Sequence, residues 1–433
     1  MGITAYHYVN VRYKWFLPIS YVTTMHKLTL VIPLLMFLIS IPSIPVATAS
    51  GSSPPPVVPG DGCSRAGFTI PAVSNASALA IASASPTFTN LVKGQTFHLG
   101  GTSAWGHCTK LVSINANFIA TNATGYKEDI VVSMNVSSSN TPTVVSGVQV
   151  LPAVSFYSYC NGGQSPCQNP NWVWSGYQFC DGWQSGGANC QNPQTNQVFG
   201  VQGSFTQPNV YAPTGSNQPN CGTGTCDMAS WVGLDTYTTG QYILQTGTFA
   251  YLICNPFCGG SYKLWWEDLE SSSSLANWCP QVSTSPGHTI IPVVQQQTGN
   301  NYYVYVTDQS TGTCYSTPYP YTGYTHTPYW GDFIIERSQY CSNWPVCGMS
   351  LAKFDNYWFQ GIIAYNGAPN GVPISRPFGN GWYQSQVMVN PPPSGVTNVC
   401  SGSWSSPNCY VSVQSGSTGY GKFYNTWISS QNT

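Results

Sequence analysis

The chain has 433 residues, and its 12 Lys/Arg and 13 Asp/Glu give a net charge of −1. Only 6% of the residues are charged, against roughly a quarter in an average soluble domain, so no basic stripe exists for a nucleic-acid partner. Hydrophobic residues make up 42%, which excludes charge-driven disorder. The abundance of Gly, Pro, Tyr and small polar residues indicates an all-β protein. We interpret the low charge either as adaptation to acid or as the composition of an ordinary secreted β protein.

The first element in chain order is an apolar segment at residues 28–42. Met25-His26-Lys27 precedes it and Ala47-Thr48-Ala49 follows it, which predicts a signal peptide over residues 1–49, with Met25 as a second candidate start. The segment is short for a membrane span of about 20 residues, although an uncleaved anchor is the alternative. We therefore expect a secreted, extracellular protein that has no contact with a membrane after cleavage.

A Ser/Pro/Gly-rich linker is predicted at residues 50–62, followed by a β-rich region at 63–159. This region contains the three glycosylation acceptors, Asn75, Asn122 and Asn135. Residues 61–159 carry four Lys/Arg and three Asp/Glu, whereas residues 160–433 carry five and ten. The region is thus weakly complementary to an acidic partner, and we interpret it either as a pro-segment or as an accessory β domain.

All 16 cysteines lie beyond residue 49, and an even number in an exported chain predicts disulfide bonds. A zinc site is disfavoured because the sequence has no C-x-x-C pair. Several cysteines lie close together along the chain and suggest local bridges, although spacing alone does not give the pairing. These pairs are Cys160/Cys167, Cys180/Cys190, Cys221/Cys226, Cys341/Cys347 and Cys400/Cys409.

Short segments bounded by turn residues predict many strands in residues 160–433, and no window keeps a helical apolar period for long. Many strands at short intervals indicate a β-sandwich or a barrel. The predicted strands cover residues 203–210, 230–234, 242–244, 248–253, 262–266, 289–294, 302–306, 332–335, 358–363, 384–389 and 410–413.

Most common hydrolase motifs are absent: the sequence has no intact G-x-S-x-G, no H-E-x-x-H and no Asp-Thr/Ser-Gly. The few carboxylates remain as candidates for acid–base chemistry. Glu336 ends an apolar strand, and alternation along that strand places it on the same face as Ile334. Glu267 ends an aromatic strand that contains Trp265, where desolvation would raise the pKa of its carboxyl.

Four motifs, in order, resemble the glutamic peptidases (eqolisins). They are Trp-Val-Gly-Leu-Asp at 231–235, Ile-Leu-Gln-Thr-Gly at 243–247, Tyr-x-x-Trp-x-Glu at 262–267 and Phe-Ile-Ile-Glu at 333–336. The likeness extends over roughly residues 170–430. It implies a peptidase domain at 160–433, built as a concanavalin-like antiparallel β-sandwich of two curved sheets.

The resemblance also implies a secreted acid endopeptidase that acts on polypeptides as a monomer, with neither a metal nor a cofactor. By this likeness the catalytic pair is Gln245 and Glu336. The residues carried over as parts of the substrate cleft are Trp231, Asp235, Trp265 and Glu267.

The sequence departs from the family at Phe249, where fungal members usually carry an acid, and at Lys263, where an Asp is common. Two other functions remain open. A retaining glycoside hydrolase on a similar sandwich would use Glu267 and Glu336 as its two carboxylates. A carbohydrate-binding or cell-surface module would need neither glutamate.

Overall fold

The computed structural model describes a large part of the chain, in twelve stretches. The predicted signal peptide, nearly all of the linker and most of the closely spaced cysteines lie outside it. The described residues are 62–154 except 124 and 126, 174–180, 197–212, 226–236, 242–254, 258–269, 275–337 except 298, 350–366, 383–386, 388–389, 411–417 and 422–427.

Two short helices precede the strands. Ser74 and Ser85 cap them, because each serine hydroxyl accepts a hydrogen bond from a backbone N–H of the first turn. The helices are α1 (Asn75–Ser83) and α2 (Pro86–Leu91).

The strands before residue 255 are β1 (Thr96–His107), β2 (Lys110–Thr121), β3 (Lys127–Val136), β4 (Pro142–Pro152), β5 (Trp174–Cys180), β6 (Val198–Thr206), β7 (Val210–Tyr211), β8 (Cys226–Asp235) and β9 (Ile243–Cys254). Those after it are β10 (Cys258–Asp268), β11 (Asn277–Cys279), β12 (Thr289–Gln296), β13 (Tyr302–Asp308), β14 (Gly312–Ser316), β15 (Trp330–Glu336), β16 (Ser350–Leu351), β17 (Lys353–Phe354), β18 (Tyr357–Asn366), β19 (Tyr383–Gln386), β20 (Met388–Val389), β21 (Val411–Ser417) and β22 (Lys422–Trp427).

Two sheets, almost entirely antiparallel, contain most of these strands. In the described residues the larger sheet has the order β20-β21-β22-β18-β6-β12-β13-β14-β1-β2-β3-β4, and the smaller has the order β11-β10-β9-β8-β15-β5-β19. The short β16 pairs with β8 in parallel, and β17 pairs with β7. Alternate side chains point to opposite faces of a strand, so each sheet offers two faces for packing.

One face of the smaller sheet packs on the larger sheet and forms the main hydrophobic core. Val232, Leu244 and Phe333 of the smaller sheet belong to the same buried cluster as Phe205 and Ile290 of the larger one. This arrangement is the all-β sandwich that the sequence predicts.

The N-terminal strands continue the larger sheet through the pairing of β1 with β14. Their side chains share a second buried cluster with β12–β14, in which Phe118 and Ile130 lie with Tyr305 and Tyr315. The guanidinium of Arg65 lies 4.1 Å from the centre of the Tyr305 ring. The region 63–154 is therefore packed closely against the strands that follow it.

Each strand predicted after residue 200 overlaps an observed strand, although several are longer than predicted. Two of the predicted strands are divided: 203–210 covers the end of β6 and the start of β7, and 384–389 covers most of β19, in the smaller sheet, and β20, in the larger one. Residues 242–244 and 248–253 are one strand, β9, because the Gly247 between them stays in the sheet. The sequence analysis missed β5, β11, β14 and β22, and it missed both helices. The helices have only nine and six residues, too few for a periodic pattern to be recognised.

Two disulfides join cysteines that the structure describes. Cys63–Cys108 closes a bridge within the N-terminal region, and Cys279–Cys314 joins β11 to β14 across 35 residues. Cys226 and Cys258 are disulfide-bonded as well. In the residues that the structure describes, no helix is long and apolar enough to cross a membrane.

Candidate active site

The candidate catalytic residues lie on the face of the smaller sheet that points away from the main core, here called the site face. Cross-strand pairing aligns its side chains in rows, because facing residues of neighbouring strands share a face. Three of these rows contain most of the candidate residues. The first row contains Glu267, Gln245, Gly233, Asp332 and Gln178. The second contains Trp265, Gly247, Trp231, Ile334 and Gly176. The third contains Lys263, Phe249, Ala229, Glu336 and Trp174.

Two tryptophans contact the carboxyl group of Glu336. The indole Nε1 of Trp231 donates a hydrogen bond to Glu336 Oε2 over 2.8 Å, and the indole of Trp174 also lowers the pKa of this carboxyl. Burial outweighs both donors, so the pKa of Glu336 lies well above its usual value. A negative charge on Glu267 raises this pKa further.

Gln245 is held by the second glutamate. Its amide Nε2 donates to Glu267 Oε2 over 3.1 Å, and both side chains are buried. Because the Glu267 oxygen accepts this hydrogen bond, the amide nitrogen of Gln245, and not its oxygen, faces Glu267. The other N–H of Gln245 Nε2 points away from Glu267, and the hydrogen bond to Glu267 fixes its direction.

Glycine makes room for the Trp231 side chain beside Gln245. A Cβ added at Gly247 would lie 2.1 Å from Ser230 O and 2.7 Å from the Trp231 Cα. One added at Gly233 would lie 3.0 Å from Cζ3 of the Trp231 ring. The Trp231 ring therefore reaches over Gly233, toward the row that contains Gln245.

A second acidic pair lies on the same face. Asp332 Oδ1 accepts from Gln178 Nε2 over 2.9 Å, and burial raises the pKa of Asp332 to about 7. Burial, and then the charge of Asp332, raise the pKa of Asp235 well above its usual value. Two buried carboxyls that repel each other resist simultaneous ionisation, so this pair holds at least one proton in acid.

Residues of the N-terminal region pack over the site face. Val131 of β3, Leu151 of β4 and Val154 after it belong to one buried cluster with Trp231 and Trp265. We call these three aliphatic residues the cover. The backbone N–H of Ala276 also donates to Val154 O over 3.1 Å. The cover therefore lies against the tryptophans of the site face.

All six predicted site residues are on the site face and are buried, each at most 1% exposed. Trp231, Gln245, Glu267 and Glu336 form one interacting group, whereas Asp235 pairs with Asp332 at another end of the face. The sequence analysis did not single out Trp174, Gln178 or Asp332. The alternating aromatic residues at 172–179 predict a strand there, and that strand, β5, carries Trp174 and Gln178.

The two positions where the sequence departs from the glutamic-peptidase pattern, Phe249 and Lys263, face each other on β9 and β10. Phe249 is buried and stacks on Tyr251, with ring centroids 5.4 Å apart. Lys263 faces it on the next strand, donates to Pro280 O over 3.3 Å, and has a pKa lowered by burial. In the described part of the chain, no group of three or more His, Cys, Asp or Glu side chains is placed to hold a metal ion.

A family model matches the part of the chain that contains the site. Residues 184–376 match the Peptidase A4 family, and the segment includes Trp231, Gln245, Glu267 and Glu336. The match covers 193 of the 433 residues. This match confirms the resemblance to the glutamic peptidases and supports the expected class of enzyme, a glutamic endopeptidase. No curated protein sequence matches the chain.

Solved structures similar to this chain include scytalido-glutamic peptidase with a peptide-based transition state analog, at 16% identity and a TM-score of 0.40, over 59% of this chain and 98% of the other. SCP-B, a member of the eqolisin family in complex with the tripeptide Ala-Ile-His, has 16% identity and a TM-score of 0.37 over the same shares. Aspergilloglutamic peptidase from Aspergillus niger has 18% identity and a TM-score of 0.30, over 47% of this chain and 99% of the other. At these values the likenesses assign no residue role.

Proposed function

We propose that the chain is a secreted acid endopeptidase that hydrolyses polypeptides with Glu336, Gln245 and an activated water. The observation that carries this proposal is the convergence of Glu336, Trp231, Gln245 and Glu267 on one face of the smaller sheet. The family match over residues 184–376 supports the reaction class.

In this mechanism the Glu336 carboxylate removes a proton from water as the water attacks the scissile carbonyl carbon, and later gives that proton to the leaving amine. The N–H of Gln245 that does not face Glu267 donates to the oxygen that becomes negatively charged. A single donor at that position is worth roughly 10²–10³ in rate. Trp231 keeps one carboxylate oxygen of Glu336 in place through the 2.8 Å hydrogen bond.

The N-terminal region, residues 63–159, is proposed to act as a pro-segment. The support is the cover, because Val131, Leu151 and Val154 pack with the site-face tryptophans where a substrate chain would have to lie. Burial is the largest cause of the raised pKa of Glu336. Displacing the cover would hydrate this carboxyl and lower its pKa, so that it could ionise and act as a base in acid.

The site of action is proposed from the sequence. The apolar segment at 28–42, the sixteen cysteines beyond it and the three glycosylation acceptors favour export as a glycoprotein. We propose a monomer that needs no cofactor. The linker at 50–62 then lies between the cleaved signal and the N-terminal region.

The test is cleavage of denatured casein between pH 2 and 7, with pepstatin and a chelator as controls. Gln245→Ala is expected to lower the rate by about 10²–10³, and Glu336→Gln to abolish activity. Gln360→Ala replaces an exposed glutamine, and Asp355→Asn converts an exposed carboxyl group to an amide; both serve as controls with full activity.

The pro-segment is tested in the same samples by following the N-terminal region on a gel. Activity is expected to rise as residues 63–159 are cleaved or released. Full activity with that region still bound would contradict its role as a pro-segment. If the folded wild type with its site face uncovered cleaves no protein at any pH, the peptidase proposal itself is wrong.

A further inference from the structure

A cavity of about 330 Å³ lies on the other side of β10 from Gln245 and Glu267, between the N-terminal region and the edge of the smaller sheet. Trp266, Asp268 and Asn277 line it from β10 and β11, and Tyr321 from a later loop. Its size is at the lower end of the range of roughly 300–1,000 Å³ that small-molecule sites occupy. The candidate active site does not use it.

The polar groups of this cavity are arranged to bind a ligand with hydroxyl groups. Asn277 is only 7% exposed, and its Oδ1 has no hydrogen-bond partner in the described structure. A buried acceptor without a partner is costly, so a donor from a ligand or water is expected there. Asp268 Oδ2 accepts from Tyr321 Oη over 2.6 Å, which holds this carboxyl at the cavity wall.

Glycine opens the cavity on its N-terminal side. A Cβ added at Gly101 would lie 1.9 Å from Asn277 Oδ1, so any larger residue would cover that acceptor. The pairing of β1 with β2 shifts register between Leu99 and Gly101, which turns backbone groups of this stretch out of the regular ladder. Gly100 and Gly101 contribute only backbone atoms to this wall.

Two aromatic residues complete the wall. The rings of Trp266 and Tyr321 lie 5.0 Å apart at 60° to each other, and Trp266 Nε1 donates to Thr102 O over 3.2 Å. The described residues that line the cavity include Asp268 but no Lys, Arg or His, so an anionic ligand is disfavoured. A neutral ligand with both hydroxyl groups and an apolar face fits this combination.

We propose that this cavity is a binding site for a neutral pyranose sugar. Asn75, which lines the cavity and is exposed, is followed by Ala76 and Ser77 and is a glycosylation acceptor. The sugar can therefore come from a glycan attached to Asn75 or from a free saccharide. Both sources present the same ring to Asp268 and Asn277.

The test uses the full exported chain, purified at neutral pH with its N-terminal region in place, from a host with N-glycosylation and from one without. Calorimetric titration with N-acetylglucosamine and with glucose is expected to give a Kd on the order of 1 mM for the unglycosylated protein. Asp268→Asn should weaken binding about tenfold, the effect of one hydrogen bond to a charged group. Asp355→Asn, which also replaces an acceptor of a tyrosine hydroxyl, should leave the Kd unchanged.

A second variant, Leu99→Trp, narrows the cavity without altering its polar groups and should abolish binding.

If the glycan on Asn75 is the occupant, the glycosylated protein binds free sugar only after Asn75→Gln. If a free saccharide is the occupant, both forms bind it equally. The proposal is overturned if the folded, unglycosylated protein binds neither sugar and an endoglycosidase removes any glycan on Asn75 as fast as those on Asn122 and Asn135.

Discussion

At the scale of single residues, the role of Glu267 distinguishes a glutamic peptidase from a retaining glycosidase, two functions that the sequence left open. In a glutamic peptidase it orients the Gln245 amide through their 3.1 Å hydrogen bond. In a retaining glycosidase it would be one of two reacting carboxylates, and Gln245 would be dispensable. The two functions therefore predict opposite relative effects of Gln245→Ala and Glu267→Gln on activity.

We expect Glu267→Gln to lower kcat for casein about tenfold while KM changes little, because the neutral amide no longer determines which end of Gln245 faces it. Steady-state kinetics measure this split, with Glu128→Gln as a glutamate control outside the site face. Loss of polysaccharide hydrolysis in Glu267→Gln, with retention in Gln245→Ala, would instead identify a glycosidase.

Trp231 provides a second prediction at this scale, which concerns pH. Its N–H stabilises the ionised form of Glu336 and so lowers the pKa of that carboxyl. Trp231→Phe removes the donor, the pKa of Glu336 rises, and the acidic limb of the kcat–pH profile should move to higher pH. The exposed Trp358→Phe is the matched control. An unchanged acidic limb in Trp231→Phe would show that Glu336 is not the base.

At the scale of elements, the close approach of β8 and β9 depends on a glycine. Gly247 faces Trp231 across the two strands, and a Cβ there would overlap Ser230 O and the Trp231 backbone. Gly259 on β10 has no atom within 4 Å of an added Cβ. The two glycines form a matched pair, since both lie in strands of the same sheet.

Gly247→Ala is therefore expected to destabilise the fold by about 1–3 kcal/mol, the usual cost of overpacking, and to displace Trp231 from Glu336. Gly259→Ala should be close to neutral. Urea unfolding followed by tryptophan fluorescence measures both. If the two variants had the same free energy of unfolding, β8 and β9 would be able to move apart to accommodate the added methyl group without loss of stability.

At the scale of the whole molecule, burial raises the pKa values of carboxyls on the site face and on β3, the strand that carries Val131 of the cover. The residues concerned are Asp129, Asp235, Asp332 and Glu336. In the unfolded chain such groups titrate near pH 4, so above that pH the folded state binds more protons than the unfolded state. Their contribution to stability is complete below about pH 4 and is lost as pH rises through the folded pKa values.

We expect the free energy of unfolding to fall between about pH 4 and pH 7, the range set by the unfolded value and the pKa of about 7 for Asp332. Asp332→Asn should reduce this slope, whereas Asp355→Asn should leave it unchanged. Urea midpoints at several pH values provide the measurement. Higher stability at pH 7 than at pH 4 would contradict the expectation.

The strand content, the all-β class and the family resemblance could be read from the sequence because their signals are local. Alternation along residues 333–336 or the turn residues beside β12 need no knowledge of distant partners. Glu336 facing the same way as Ile334 follows from the same two-residue period. The motifs around Trp231 and Gln245 are local in the same sense.

Only the tertiary structure decided which of these residues meet and what lies above them. The hydrogen bond from Gln245 to Glu267, the repulsion between Asp235 and Asp332, and the cover over the site depend on register between strands far apart in the chain. The raised pKa of Glu336 depends on the same packing, because removal from water is its main cause. The composition gives the number of carboxyl groups, whereas their burial in the folded chain determines their pKa values.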